Sequence, residues 1–122
     1  MVEDDPDDID LLQAAMKKVQ VPFRINTCMQ GDNVLPHLTT LTRLPDVIVL
    51  DLNLPRMHGR EVLQLLKTSP SFQSIPVVIL TTSSSLADRE FCQQAGAKVF
   101  LTKPTTVEGF QAITQAILLA AS

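Results

Sequence analysis

The chain has 122 residues, 45% of them hydrophobic, with a mean hydropathy of +0.18 and a formal net charge of −3 at pH 7. That length suits one domain, residues 1–122, whose core needs no disulfide or metal staple, and the expectation is a domain without a separate output module. The composition excludes a disordered chain, and no apolar run approaches the roughly 18 residues of a membrane span. Six of the 13 acids (Glu3, Asp4, Asp5, Asp7, Asp8, Asp10) crowd into residues 3–10, and the rest of the chain carries ten basic against seven acidic residues. With no basic stripe and neither Trp nor Tyr, direct nucleic-acid binding has no support. Acids directly after Met1 are the opposite of a secretory leader, and Cys28 and Cys92 lack metal-type spacing. The expectation is a cytoplasmic protein with free thiols.

Asp5-Pro6 reads as a helix cap and first helical residue, and Ile9, Leu12, Met16 and Val19 recur at helical spacing, predicting a helix over Pro6–Val19. Phe23–Met29 is rich in β-formers and partly alternating, which predicts a strand. Gly31-Asp32-Asn33 then leads into a helix through Val34, Leu38 and Leu41, with Pro36 in its first turn. The run Asp46-Val47-Ile48-Val49-Leu50-Asp51 is a strand apolar on both faces, as in a parallel sheet. A loop through Pro55 and Gly59 precedes a helix to about Thr68, and Pro76–Thr81 repeats the pattern of an apolar run ending in a polar residue. A helix over Leu86–Ala95 closes on Gly96, and Lys98–Thr102 is a short strand broken by Lys103-Pro104. Thr105 and Glu108 form a capping box for a last helix that runs to about Ala121. Strands alternating with helices across short connections predict one parallel sheet with helices on both faces, an α/β doubly wound fold.

Parallel strands bring all their carboxyl ends to one edge, and that edge collects Glu3, Asp4, Asp51, Thr81 and Lys103. Converging carboxylates repel unless a cation joins them, and oxygen donors suit a hard divalent ion, Mg²⁺. Asp4 and Asp51 are expected as direct ligands, Asn53 through its backbone carbonyl and Glu3 through a water. An ammonium and a hydroxyl beside a metal-bound carboxylate suit phosphoryl transfer, with Asp51 as nucleophile.

These residues resemble a two-component response-regulator receiver domain over nearly the whole chain. Glu3-Asp4 matches the acidic pair, Asp51-Leu52-Asn53-Leu54-Pro55 the phosphoacceptor and its setting, and Gly59 the loop glycine. Thr81 matches the switch hydroxyl, Phe100 the switch aromatic, and Lys103-Pro104 the lysine and its following proline. The resemblance implies a (βα)5 sheet of flavodoxin-like order 2-1-3-4-5 and a cis Lys103–Pro104 peptide. It implies that Asp51 takes a phosphoryl group from the phosphohistidine of a sensor histidine kinase or phosphotransfer protein, and that Thr81 and Phe100 then switch. The chain is expected to relay the signal by binding a downstream protein, with a homodimer among the options, and not to act as an enzyme. The 69–75 loop and Thr81-Thr82-Ser83 resemble the single-domain regulators found with phytochrome-type kinases.

Two alternatives stand beside this reading. A receiver-like interaction module without phosphorylation would keep the fold alone. An aspartate-nucleophile phosphohydrolase would want an Asp where Asn53 stands. The family's first strand is represented only by Met1-Val2, which span about 7 Å. The expectation is therefore an upstream start, strand exchange or a collapsed sheet, with Glu3 and Asp4 poorly fixed.

Overall fold

Runs of β-branched and aliphatic residues form stable strands where both of their faces are covered. The structure, a computed structural model describing residues Met1–Ser122, contains three such strands. They are β1 (Ile48–Leu50), β2 (Val77–Thr81) and β3 (Val99–Thr102), paired in parallel in that order. Ile48 stands opposite Val77 across the first pair, and Ile79 opposite Phe100 across the second. Five helices accompany them: α1 (Pro6–Lys17), α2 (Val34–Thr40), α3 (Gly59–Thr68), α4 (Leu86–Ala95) and α5 (Val107–Ala121). No helix is long and apolar enough to cross a membrane.

Every residue of β2 is buried, and because successive side chains point to opposite faces, the strand feeds two cores. Ile48, Leu50, Val77 and Ile79 pack with Val34 and Leu38 of α2, Val62, Leu63 and Leu66 of α3, and Cys92 of α4. Val49, Val78 and Leu80 pack instead with Leu12 and Met16 of α1 and with Phe110, Ile113 and Ile117 of α5. The sheet is thus doubly wound, with α1 and α5 on one face and α2, α3 and α4 on the other.

Single residues hold the remaining two strand positions. Val2 makes parallel bridges to both Cys28 and Leu50. Its N–H donates to Val49 O at 2.7 Å and its carbonyl accepts from Asp51 N at 3.0 Å. On the other side Cys28 N donates to Met1 O at 3.0 Å and Glu3 N to Cys28 O at 2.9 Å. The lateral order is Cys28, Val2, β1, β2, β3, which is 2-1-3-4-5 in the family's numbering of strands. The strand expected over Phe23–Met29 shrinks to the Cys28 bridge, because a ladder needs a neighbour along its length and only Val2 supplies one. The sheet is not collapsed around this short segment, since Val2 keeps the central position and is buried.

Local signals set most helix ends. Asp5 caps α1 by accepting from Asp7 N at 2.9 Å, with Pro6 as the first helical residue, and the helix stops at Lys17, two residues before Val19. Gly96 ends α4 at φ 104°, a left-handed conformation that a side chain would resist. The cap of α5 differs from expectation: Thr106, not Thr105, accepts from Gly109 N at 3.0 Å. Glu108 then falls at the second helical position, and no capping box forms. The helix start lies tight against Pro104, whose Cβ is 2.3 Å from where a Cβ on residue 109 would sit.

Candidate functional site

The residues just after each strand build the carboxyl edge of the sheet. Asp51 leaves β1 with its N–H still bonded to Val2, and it is only 4% exposed. The chain turns back at once, with Gly59 N donating to Leu52 O at 2.8 Å. A Cβ on Gly59 would meet Asp51 O at 2.3 Å and Leu52 Cα at 2.5 Å, so only glycine lets the loop close against the strand end. Thr81 ends β2 fully buried, and Lys103 comes next after β3 with its N–H donating to Thr81 O at 2.8 Å. Glu3 directly succeeds the Val2 bridge and is 1% exposed.

Lys103 is the hub. Its Nζ lies 2.6 Å from Glu3 Oε1, 2.8 Å from Asp8 Oδ2 and 3.0 Å from Asp51 Oδ2. Burial opposes its ammonium, but Asp8, Glu3 and Asp51 outweigh that cost and raise its pKa. Burial likewise pushes the Glu3 carboxyl up to about 7, against the Lys103 ammonium bonded to it and with the negative charge of Asp51. Glu3 is therefore well fixed, contrary to expectation, while Asp4 is exposed.

Three carboxylates around one ammonium leave negative charge in excess. Glu3, Asp4 and Asp51 each offer an oxygen, all within 4.8 Å of one another. This all-oxygen set fits a hard divalent cation, and exposed Asp4 leaves the site open to solvent.

The Lys103–Pro104 peptide is trans, which corrects the cis expectation. No cis turn is needed to aim the lysine, because its N–H bond to Thr81 continues the β3 pairing by one residue and three carboxylates hold its head. Asn53 is exposed, and its N–H donates to Asp51 Oδ1 at a long 3.4 Å, which keeps the residue beside the Asp51 carboxylate. Thr81 and Phe100 stand outside the lysine–carboxylate cluster. The Thr81 hydroxyl oxygen accepts from Ser83 N at 3.3 Å, and half-buried Phe100 lies 5.2 Å from the guanidinium carbon of Arg89.

Asp8 was not among the residues expected at the site, yet it accepts from Lys103 Nζ at 2.8 Å. The available signal was its place in the first turn of α1, which starts three residues after Glu3 and so keeps Asp8 near the strand end.

Comparison with known proteins matches residues 1–115 to the response regulator receiver domain. The chain is 36% identical over 104 residues to the response regulator PleD of Caulobacter vibrioides, covering 85% of this chain and 22% of that protein. It is 31% identical over 122 residues to the response regulator Rcp1 of Synechocystis, covering 96% of this chain and 83% of Rcp1. Among solved structures, the phosphorylated cyanobacterial phytochrome response regulator RcpA superposes with a TM-score of 0.89 at 32% identity, over 99% of this chain and 93% of RcpA. The Mn²⁺-bound form of Rcp1 gives 0.86 at 31% identity, over 95% of this chain and 87% of that one. The resemblance to phytochrome-associated regulators is therefore borne out. The chain belongs to the response regulator receiver domain family and is a signalling component of two-component phosphorelays.

Proposed function

We propose that residues 1–122 act as one receiver domain in which Asp51 is the phosphoacceptor, loaded with Mg²⁺ from a phosphohistidine on a sensor histidine kinase or phosphotransfer protein. The observation that carries this reading is the Lys103 ammonium 3.0 Å from the buried Asp51 carboxylate, beside two further acids able to share a cation. A bound Mg²⁺ supplies charge neutralisation for the incoming phosphoryl oxygens and lowers the repulsion among the acids. Asp4 and Asp51 would hold it, with Glu3 and the Asn53 carbonyl as further oxygen donors. Support for a divalent ion comes from Rcp1, which binds Mn²⁺; oxygen-only donors favour Mg²⁺.

In the transfer, an Asp51 oxygen attacks phosphorus and the P–N bond breaks. Its electron pair returns to the imidazole of the donor, leaving an acyl phosphate on Asp51. Lys103 then exchanges part of its carboxylate contact for a phosphoryl oxygen, and Thr81 and Phe100 adjust to the loaded state. The domain turns over no substrate beyond its own phosphorylation and dephosphorylation. Its output is cytoplasmic binding to a protein target, or to a second copy of the chain. Neither the phosphate-independent module nor the phosphohydrolase gains support: the first leaves the buried lysine–acid cluster without a purpose, and Asn53 cannot serve the second as general acid.

Intact-mass measurement after incubation with acetyl phosphate tests the reading. One phosphoryl adduct is expected, dependent on Mg²⁺ and absent in Asp51→Asn. Undiminished adduct in that variant would overturn the assignment.

A further inference from the structure

A polar chain leads away from Thr81 toward the helices, beyond the lysine–carboxylate cluster. Ser83 N donates to Thr81 Oγ1 at 3.3 Å, and Ser83 Oγ donates to Asp88 Oδ2 at 2.8 Å. Asp88 sits in the first turn of α4, where its N–H is held by the Ser85 cap at 3.2 Å. Its other oxygen, Oδ1, lies 3.5 Å from Arg60 Nη1 on α3, and Arg60 in turn lies over the Phe91 ring of α4, 5.2 Å from its centroid. One carboxylate thus joins the end of β2, the 82–85 loop, α4 and α3. Asp88 is well placed for this, because its side chain is only 21% exposed, so its bonds compete weakly with water.

We propose that Asp88 is a positioning residue that acts through Ser83 on Thr81, holding the hydroxyl on the α4 side, and that the Arg60 pair ties that position to α3. The inference rests on the phosphoacceptor reading of Asp51. In the resting state the Thr81 hydroxyl is bonded toward Ser83. The hydroxyl keeps its own proton to donate, and turning it toward a phosphoryl group on Asp51 would draw its oxygen away from Ser83, which is itself anchored by Asp88. A ligand can shift such an equilibrium only by its differential affinity, so weakening the resting anchor strengthens binding of anything that needs the shifted hydroxyl. The relay therefore sets a threshold for loading and carries the change at Thr81 to the α3–α4 contact.

Beryllofluoride with Mg²⁺ serves as the probe, titrated against wild type, Ser83→Ala, Asp88→Ala, Asp88→Asn and Arg60→Gln, with acetyl phosphate loading of each protein followed by intact mass. Ser83→Ala and Asp88→Ala are expected to bind the probe about three- to tenfold more tightly, the worth of one released hydrogen bond. Asp88→Asn keeps an acceptor for Ser83 but loses the ion pair, and it should match Arg60→Gln between wild type and Asp88→Ala. In a Thr81→Ala background all of these gains should vanish, which a merely structural role for Asp88 would not produce. Wild-type affinity in both Ser83→Ala and Asp88→Ala, or gains that persist without the Thr81 hydroxyl, would overturn the relay while leaving Asp51 loading intact. Failure of the wild type to load at all would instead remove the phosphoacceptor reading and the relay with it. Should Asp88→Ala fail to fold, the smaller Ser83→Ala change carries the same comparison.

Discussion

The two halves of the sheet are built differently. From β1 to β3, parallel pairing runs through seven residue pairs, and β2 lies wholly buried between two helical layers. On the other side the sheet narrows to the bridges of Val2 with Cys28 and Leu50, held by four backbone bonds of 2.7 to 3.0 Å. The site straddles that divide. Asp51, Thr81 and Lys103 extend from the continuous half, whereas Glu3 and Asp4 hang from the bridged half. The lesson is that ladder hydrogen bonds position Asp51 and Lys103, while Glu3 depends both on its backbone bond and on what its carboxylate binds. Glu3 is located by Lys103 at 2.6 Å as much as by its backbone, and a divalent ion would add a second clamp.

The largest expected effect tests the packed half directly. Ile79→Ala, in the fully buried centre of β2, should cost about 4 kcal/mol, whereas Val2→Ala should cost about 2 kcal/mol. Urea denaturation of both variants measures the contrast, and equal losses would erase the distinction between the halves.

Next comes the link between them. Lys103→Ala leaves Glu3, Asp8 and Asp51 facing one another, and at pH 8 without a divalent ion it should cost about 3 kcal/mol, the low end for breaking a buried pair because Glu3 can take up a proton. Mg²⁺ should restore part of that loss, yet the switching response to beryllofluoride should stay impaired. An unchanged melting curve together with a wild-type response would make Lys103 an ordinary surface charge.

The smallest effect is one of pH. In the folded chain the Glu3 carboxyl is raised from 4.5 to about 7, chiefly by burial, so the native state binds its proton more tightly than the unfolded state does. The stability this contributes is complete below about pH 4.5 and disappears as pH rises through about 7. Metal-free protein should therefore show a lower urea midpoint at pH 8 than at pH 5, and Mg²⁺ should flatten the difference by favouring the ionised carboxylate. A midpoint that rises across this window without metal would mean that Glu3 is not held as the structure has it.

The features legible in the amino-acid order are those set by neighbours along the chain. Unbroken apolar runs mark β1 and β2, each leading to a polar residue at the carboxyl edge of the sheet, and Asp5-Pro6 and Gly96 mark helix ends whose geometry needs only local groups. The convergence of Glu3, Asp51 and Lys103 was legible too, since parallel strands must open on one edge. Tertiary structure decided what depends on distant partners. Phe23–Thr27 carries β-forming side chains but joins no ladder, because a strand exists only where a neighbour meets it along its length, and here Asn26 O merely accepts from the Met1 ammonium at 2.7 Å. Thr106 rather than Thr105 caps α5, where Pro104 lies tight against Gly109. Lys103 reaches the site through a trans peptide, held by bonds to Thr81 and three carboxylates. Asp8 reaches the cluster because α1 is docked on the sheet. A single residue's role in this site is an electrostatic balance struck across 95 positions of chain, from Asp8 to Lys103, and no local pattern encodes that distance.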